Sequence, residues 1–143
     1  MKSDKKIIGY TCGSFDMFHV GHLNILRNAK SMCDHLIVAV TIDGIVSHKK
    51  EKCVIPYEHR IEIVRSIRCV DTAIPQNEID KVRAYEKIKY DILFVGDDWY
   101  ESPTWMKYEK ILKNYGVKII YFPYSKQMST TEIRNKFKKE DEL

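Results

Sequence analysis

The sequence predicts a three-layer α/β fold, in which a doubly wound, parallel five-stranded sheet carries helices on both faces. The chain alternates throughout between short apolar runs rich in β-branched residues and longer segments with helical periodicity. Crossover connections between parallel strands are right-handed, so that alternation places the helices on the two faces of the sheet. A length of 143 residues fits one core, and we expect a single domain over residues 1–143.

Five short apolar segments predict the strands of this sheet: residues 7–11, 35–42, 70–74, 91–95 and 117–122. Between them, apolar residues at helical spacing predict helices over residues 21–33, 57–67, 79–88 and 103–115, and a last helix begins near Ser129. The connection over residues 43–56 is long for such a fold, and we expect it to cover the substrate.

Composition excludes several classes of protein. The formal net charge of +4 comes from interspersed charges, which favours an anionic small molecule over nucleic acid as the partner. The four cysteines form no C-x-x-C pair, so we expect neither a zinc ribbon nor a disulfide framework. No apolar run approaches the roughly 20 residues that cross a bilayer. We therefore expect a cytoplasmic protein without a membrane partner.

The strongest functional signal is the segment Gly-Ser-Phe-Asp-Met-Phe-His-Val-Gly-His at residues 13–22, where the first strand passes into the first helix. Ligands of such sheets bind beyond the carboxyl ends of the strands, so this segment falls at the expected place. His19 and His22 are three residues apart at a helix start, which places both on one face, where they can converge on one phosphoryl group. Gly13 permits close approach of an anion, and the helix start adds N–H donors.

Taken alone, His19 and His22 also fit a core histidine beside a capping one, or half of a metal site. No further cluster of His, Cys or carboxylate residues at recognisable spacing supplies the remaining ligands. The metal interpretation is therefore weakened, and no residue is assigned as a metal ligand.

With this segment, the chain resembles the nucleotidyltransferases that carry a His-x-Gly-His signature, and among them the cytidylyltransferases that activate glycerol 3-phosphate. Four further motifs match in order: Tyr-Glu-His-Arg at 57–60, Ile-Arg-Cys-Val-Asp at 67–71, Gly-Asp-Asp-Trp at 96–99 and Ser-Thr-Thr-Glu-Ile at 129–133. The resemblance implies a Rossmann-like nucleotidyltransferase fold, CTP and a phosphorylated small alcohol as substrates, and a homodimer. It also implies that Mg²⁺ is carried mainly by the triphosphate.

The resemblance assigns roles to particular residues. It implies a catalytic set of His19, His22, Arg60 and Lys49, in which the histidines stabilise charge at the triphosphate. The nucleotide-binding residues that it implies are His19, His22, Gly13, Ser14, Phe15, Arg68, Gly96, Asp97, Asp98, Trp99, Ser129, Thr130 and Thr131. The acceptor-binding residues are Lys49, Arg60 and Asp16.

Several of these assignments have simpler alternatives. Asp16 either orients a histidine or approaches magnesium, and the sequence does not choose between them. The 97–99 segment also fits a polar turn with a surface tryptophan, and the 129–131 segment fits an ordinary helix N-cap.

Two segments depart from the pattern of the resembling enzymes. Tyr124 stands where they usually have an arginine that contacts phosphate, and either Lys126 replaces that arginine or the pocket holds its nucleotide differently. Glu51 stands where a second lysine is expected, which leaves the acceptor less certain than the reaction. Glycerol, choline, ethanolamine and sugar-alcohol phosphates therefore all remain possible acceptors. An adenylyltransferase of the same fold and a domain that binds nucleotide without turnover are the competing functions.

Overall fold

The five predicted strands form one parallel sheet. The computed structural model describes residues 5–45, 53–77, 80–96 and 103–122. Its strands are β1 (Ile8–Gly13), β2 (His35–Thr41), β3 (Thr72–Gln76), β4 (Ile92–Gly96) and β5 (Lys118–Phe122). They lie in the order β3-β2-β1-β4-β5, and every neighbouring pair is parallel, which confirms the predicted sheet.

Four helices connect these strands: α1 (Val20–Lys30), α2 (Tyr57–Arg65), α3 (Lys81–Ile88) and α4 (Pro103–Asn114). A 3-10 turn over Asp43–Ile45 follows β2. The predicted helices therefore lie in the right places, although α1 and α2 end two or three residues earlier than expected. The helix predicted from Ser129 lies outside the described residues.

Strand boundaries differ from the prediction where pairing with β2 continues beyond the predicted end of a strand. β3 begins and ends two residues later than predicted and includes Pro75, which lacks a main-chain N–H group. β3 is an edge strand that pairs with β2 only, so the missing donor is tolerated. β1 continues to Gly13 because Cys12 and Gly13 pair with β2.

The core has two halves, one on each face of the sheet. On the first face, α1 and α2 pack on alternate strand residues in the cluster Phe15, Leu26, Ala29, Leu36, Val38, Val40, Ile61, Val64, Ile92, Phe94 and Phe122. On the second face, α3 and α4 contribute to the cluster Tyr10, Ala39, Ala84, Tyr90, Leu93, Trp105, Leu112 and Val117. Within the described ranges, no helix has the length and hydrophobicity of a membrane span.

The sheet order places the change in winding direction between β1 and β4. Their register pairs Gly9 with Ile92 and Tyr10 with Leu93, and the Thr11 hydroxyl donates a hydrogen bond to the Phe94 carbonyl at 3.0 Å. Continued along the strands, this register brings Gly13 beside Gly96. A ligand crevice is expected at this point, beyond the carboxyl ends of β1 and β4.

Candidate active site

A strained loop connects β1 to α1 at the crevice. Phe15 and Met17 have positive φ angles of 51° and 49°, a region that costs a non-glycine residue roughly 1–2 kcal/mol. Asp16 lies between them and is 1% exposed. Its two carboxylate oxygens accept hydrogen bonds from the N–H groups of Val54 at 2.8 Å and Ile55 at 2.9 Å.

These two bonds give Asp16 a structural role that the sequence does not predict, and its predicted roles, orienting a histidine or approaching magnesium, remain predictions. A buried carboxylate whose two oxygens both accept hydrogen bonds from main-chain N–H groups holds two segments of the chain together. It ties the histidine loop, residues 14–18, to the chain that follows the 46–52 segment.

His19 and His22 together cap the N-terminus of α1. His19 is the N-cap, and its Nδ1 accepts from the Gly21 N–H at 3.0 Å. The His22 Nδ1 accepts from the His19 N–H at 3.1 Å, which completes a capping box in which both side chains are imidazoles. Because each Nδ1 is an acceptor, the capping geometry assigns the ring proton to Nε2 in both histidines.

The predicted convergence of the two histidines is present in the structure. Their ring centroids lie 4.0 Å apart, with the planes inclined at 35°. Phe15 and Phe18 pack against the His22 ring, at centroid distances of 5.6 Å and 5.2 Å. The pair therefore has a fixed orientation and presents two Nε2–H donors at one helix terminus.

Phe15 was predicted to contact the nucleotide, but its side chain is only 8% exposed and belongs to the core of the first face. A nucleotide contact at this position therefore involves its main chain. Gly13 and Ser14, which precede it at the end of β1, are half-buried at the crevice.

Arg60 differs most from its predicted role at the substrate phosphates. It is 1% exposed, and its Nε donates to the Ile55 carbonyl at 2.8 Å. Its Nη1 donates to the carbonyls of Ser14 and Thr41, each at 2.8 Å, and its Nη2 donates to Asp43 Oδ1 at 2.7 Å. The guanidinium thus joins the histidine loop to both sides of the 46–52 segment.

Asp43 is the acidic partner in this network. A hydrogen bond from the Tyr57 N–H, together with the Arg60 guanidinium, lowers the pKa of its carboxyl below the ordinary value despite some desolvation. Asp43 therefore remains ionised opposite Arg60 at neutral pH.

Arg68 is exposed and lies three residues beyond the end of α2, so it does not share the burial of Arg60. Gly96 ends β4 beside the end of β1, where the prediction placed it. The remaining site predictions lie outside the described residues: Lys49, Asp97, Asp98, Trp99, Ser129, Thr130 and Thr131.

Sequence reasoning missed a lysine at the same edge of the sheet. The Lys81 ammonium donates to the Cys12 thiol at 2.8 Å, close to the end of β1. A usable signal was present, because Asp80 is an N-cap residue directly before Lys81 in a helix that follows a strand. The sequence predicts that this helix begins at residue 79, two residues before its observed start, and assigns Lys81 no role.

Magnesium has no evident protein site in the described part of the chain. There, no group of three or more His, Cys, Asp or Glu side chains is arranged to hold a metal ion. Asp16, the acidic residue nearest the histidines in sequence, uses both oxygens as main-chain acceptors. The residues described therefore do not fit a metal held by the protein.

Comparisons with known proteins identify the family of this chain. A family model described as cytidylyltransferase-like matches residues 10–136. The glycerol-3-phosphate cytidylyltransferase of Bacillus spizizenii is 37% identical over 131 residues, which cover 91% of this chain and 95% of the relative. The FAD synthase of Archaeoglobus fulgidus is 37% identical over 108 residues, covering 76% of this chain and 78% of the relative.

The fold of this chain is similar to that of a solved structure. The lipopolysaccharide core biosynthesis protein from Thermoplasma volcanium superposes with a TM-score of 0.71 at 23% identity, covering 87% of this chain and 100% of that one. At that identity, the likeness supports the fold alone.

Proposed function

This chain is a nucleotidyltransferase of the cytidylyltransferase-like family, and we propose that it transfers the cytidylyl group of CTP to glycerol 3-phosphate. A phosphate oxygen of glycerol 3-phosphate forms a bond to the α-phosphorus of CTP. The bond from that phosphorus to the bridging oxygen of the β-phosphate breaks, and diphosphate leaves with the electron pair. The second product is CDP-glycerol.

The observation that carries this proposal is the histidine pair at the switch point of the sheet. His19 and His22 are fixed by capping bonds that assign the proton of each ring to Nε2. Two N–H donors at a helix terminus suit the oxygens of a triphosphate, and they stabilise the charge that develops as diphosphate departs.

The proposed reaction needs no general base, because the attacking phosphate oxygen is already anionic at neutral pH. Catalysis then depends on positioning and on neutralising charge. Asp16 and Arg60 serve the first requirement, since they hold the histidine loop against the chain on both sides of the 46–52 segment. In this proposal they are positioning residues that do not touch the substrate.

The contacts to the rest of the substrates remain predictions. Arg68 and the residues at 129–131 are assigned to the phosphates of CTP, and Gly96 with residues 97–99 is assigned to the nucleoside. Lys49 is assigned to the acceptor. Magnesium is assigned to the triphosphate and so enters as part of the substrate.

We also propose that the enzyme is a homodimer whose interface lies near α2. Arg60 is too buried to contribute to it, whereas Arg68 is exposed. Sedimentation equilibrium tests this assignment, because a monomer at assay concentration contradicts it.

The second candidate function is adenylyl transfer to a flavin, and the FAD synthase relatives are the observation that favours it. The chemistry is the same, because a phosphate monoester attacks the α-phosphorus of a nucleoside triphosphate. The Gly-Asp-Asp-Trp and Tyr-Glu-His-Arg motifs favour the cytidine reaction.

Diphosphate release tests the proposal directly. The purified chain is assayed with each of the four ribonucleoside triphosphates against glycerol 3-phosphate, choline phosphate, ethanolamine phosphate, a sugar-alcohol phosphate and FMN, with magnesium present. We expect turnover with CTP and glycerol 3-phosphate. Turnover with ATP and FMN alone replaces the proposal with the flavin reaction. Tight binding of CTP without turnover on any acceptor favours a nucleotide-binding domain.

A further inference from the structure

Cys12 and Lys81 place a thiol group and a primary amine in direct contact. The Lys81 Nζ donates a hydrogen bond to the Cys12 Sγ, and the two atoms are 2.8 Å apart. Cys12 is the second-last residue of β1, and Lys81 is the first residue of α3. Both residues are half-buried, so neither is sealed from solvent. The fold therefore holds two nucleophilic side chains from distant parts of the chain against each other.

The main chain is anchored on both sides of this contact. Cys12 pairs with Ala39 of β2 inside the sheet. The Lys81 carbonyl accepts a hydrogen bond from the Tyr90 hydroxyl at 2.9 Å, and Tyr90 is 1% exposed. The sulfur and the nitrogen are thus carried by a strand and by a helix that is bonded to a buried side chain.

Tyr10 provides a second donor to the Cys12 sulfur. Burial raises the pKa of the Tyr10 hydroxyl, and the interaction with the Cys12 side chain, which includes a hydrogen bond, raises it further. Tyr10 therefore keeps its proton and donates it towards the sulfur. Two donors at one sulfur favour the thiolate, which is the form that reacts with peroxides.

Two other half-buried cysteines, Cys33 and Cys69, lack this arrangement. Burial raises the pKa of both thiols, which favours their protonated, unreactive form. Lys30 lies near both of them but donates to the Asp71 carboxylate. These cysteines are therefore internal controls for the effect of the amine on Cys12.

We propose that Cys12 and Lys81 form a covalent modification site, at which a peroxide joins the two side chains as a sulfenamide. The Cys12 thiolate attacks one oxygen of hydrogen peroxide, so that an S–O bond forms and the O–O bond breaks. The leaving hydroxide takes a proton from the Lys81 ammonium. This inference does not depend on the nucleotide or the acceptor that the enzyme uses.

The amine left on Lys81 completes the reaction. It attacks the sulfur of the sulfenic acid, so that an S–N bond forms and the S–O bond breaks. The hydroxide that leaves takes a second proton from the nitrogen. One hydrogen peroxide is reduced to two water molecules, and the Cys12 sulfur is oxidised by two electrons.

The cross-link makes oxidation of Cys12 reversible. A sulfenic acid without a partner is oxidised further to a sulfinic acid, which thiols do not reduce. The Lys81 amine captures the sulfenic acid before that step, because it is already in contact with the sulfur. A thiol that attacks the sulfenamide sulfur then restores both side chains.

Mass spectrometry of the peroxide-treated chain tests this proposal. The reduced protein is treated with hydrogen peroxide, remaining thiols are alkylated, and the chain is digested with trypsin and a glutamate-specific protease. Cleavage after Arg27 and after Glu78 leaves Cys12 and Lys81 on peptides that contain no other cysteine. A sulfenamide is therefore distinguished from a disulfide.

Three variants separate the amine from the charge. Lys81→Met removes both, and Lys81→Arg keeps a charge but has no primary amine. Lys87→Met removes an exposed lysine from the same helix and is the matched control. The Tyr90 contact uses the main chain of Lys81, so these substitutions leave it in place.

We expect the wild type and Lys87→Met to give a linked Cys12–Lys81 peptide that is lighter by two hydrogen atoms than the two reduced peptides together. Dithiothreitol should separate it. Cys12 should react on the order of tenfold faster than Cys33, since reactivity follows thiolate character. Both Lys81 variants should give no linked peptide and should accumulate Cys12 sulfinic acid.

The proposal is overturned by any of three results with the wild-type chain. Cys12 reacts no faster than Cys33, Cys12 is recovered in a disulfide, or Cys12 sulfinic acid accumulates as fast as in Lys81→Met.

Discussion

At the two edges of the sheet, side chains of opposite charge form hydrogen bonds with main-chain groups that the strands leave unpaired. At the amino edge, aspartates that directly precede three strands accept hydrogen bonds from main-chain N–H groups. Asp34 accepts from Ile7, Asp91 from Ile8 and Asp71 from Leu36, at 2.7–2.8 Å. At the carboxyl edge, Arg60 donates to main-chain carbonyls instead.

The difference follows from the parallel arrangement of the strands. Every strand begins at one edge with unpaired N–H groups and ends at the other with unpaired carbonyls, so the edges need acceptors and donors respectively. At the amino edge, each aspartate directly precedes one strand and accepts from the chain at the start of a neighbouring strand, 27 to 83 positions away in the sequence. At the carboxyl edge, Arg60 donates to carbonyls 5 to 46 positions away, and the N-termini of α1 and α3, which favour anions, begin there. One edge therefore stabilises the fold, while the other can bind a charged ligand.

The largest expected effect at the carboxyl edge comes from removing the imidazole donors without removing the cap. Asn at position 19 and Gln at position 22 preserve the capping box, so we expect His19→Asn and His22→Gln to change unfolding free energy by less than about 1 kcal/mol. Turnover should fall about 100- to 1,000-fold for each, because an amide that accepts the capping bond cannot at the same time place its N–H group at the position of Nε2. Steady-state kinetics with denaturant unfolding checks both statements, and near-normal turnover in either variant refutes the catalytic role.

The next largest effect separates the two arginines of the predicted site. Arg60→Met leaves several buried carbonyls without their donor, and we expect unfolding free energy to fall by about 2–4 kcal/mol. The matched variant Arg68→Met removes an exposed side chain and should change stability by less than about 0.5 kcal/mol, with the KM for CTP raised. Equal stability of the two variants in urea unfolding would contradict the structural role of Arg60.

At the amino edge, Asp91→Ala should affect stability but not chemistry. The Ile8 N–H loses its acceptor, which is expected to lower unfolding free energy by about 1–2 kcal/mol. At a temperature where the variant is folded, kcat and KM should match the wild type, because the site lies at the other edge. A selective loss of kcat would show that the edges are not independent.

The smallest effect is a pH dependence at Asp71. Partial desolvation opposes ionisation, but the Leu36 N–H and the Lys30 ammonium, 2.7 Å away, lower the pKa of this carboxyl. The stabilisation is fully present above the unfolded pKa of about 3.9 and is lost as pH falls through the lowered native pKa. Melting temperatures of Asp71→Asn and the wild type should therefore converge on acidification below about pH 4. A constant difference down to pH 2 would contradict this linkage.

The fold was largely predictable because its signals are local. Strand and helix alternation identified all five strands and the four described helices, and a glycine followed by two histidines at a strand end located the crevice. Errors arose where pairing decided the boundary. The predicted strand ends at residue 74, directly before Pro75, whereas the observed edge strand continues through that proline to Gln76.

The roles of Asp16 and Arg60 were not predictable in the same way. Asp16 contacts residues 38 and 39 positions away, and Arg60 contacts Ser14 across 46 positions. Charged residues within a site motif suggest contacts with a ligand. Their spacing in the sequence does not reveal that these side chains already form hydrogen bonds with main-chain groups. The Cys12–Lys81 contact joins residues 69 positions apart, and the sequence did not predict it either.

The sequence by itself determined the parallel α/β architecture, the position of the histidine pair and the family resemblance, because hydrophobic periodicity and short motifs are properties of neighbouring residues. The tertiary structure alone decided which charged side chains are buried anchors and which face the crevice. That division depends on which main-chain donors and acceptors are left unpaired once the strands assemble, and distant parts of the chain supply their partners.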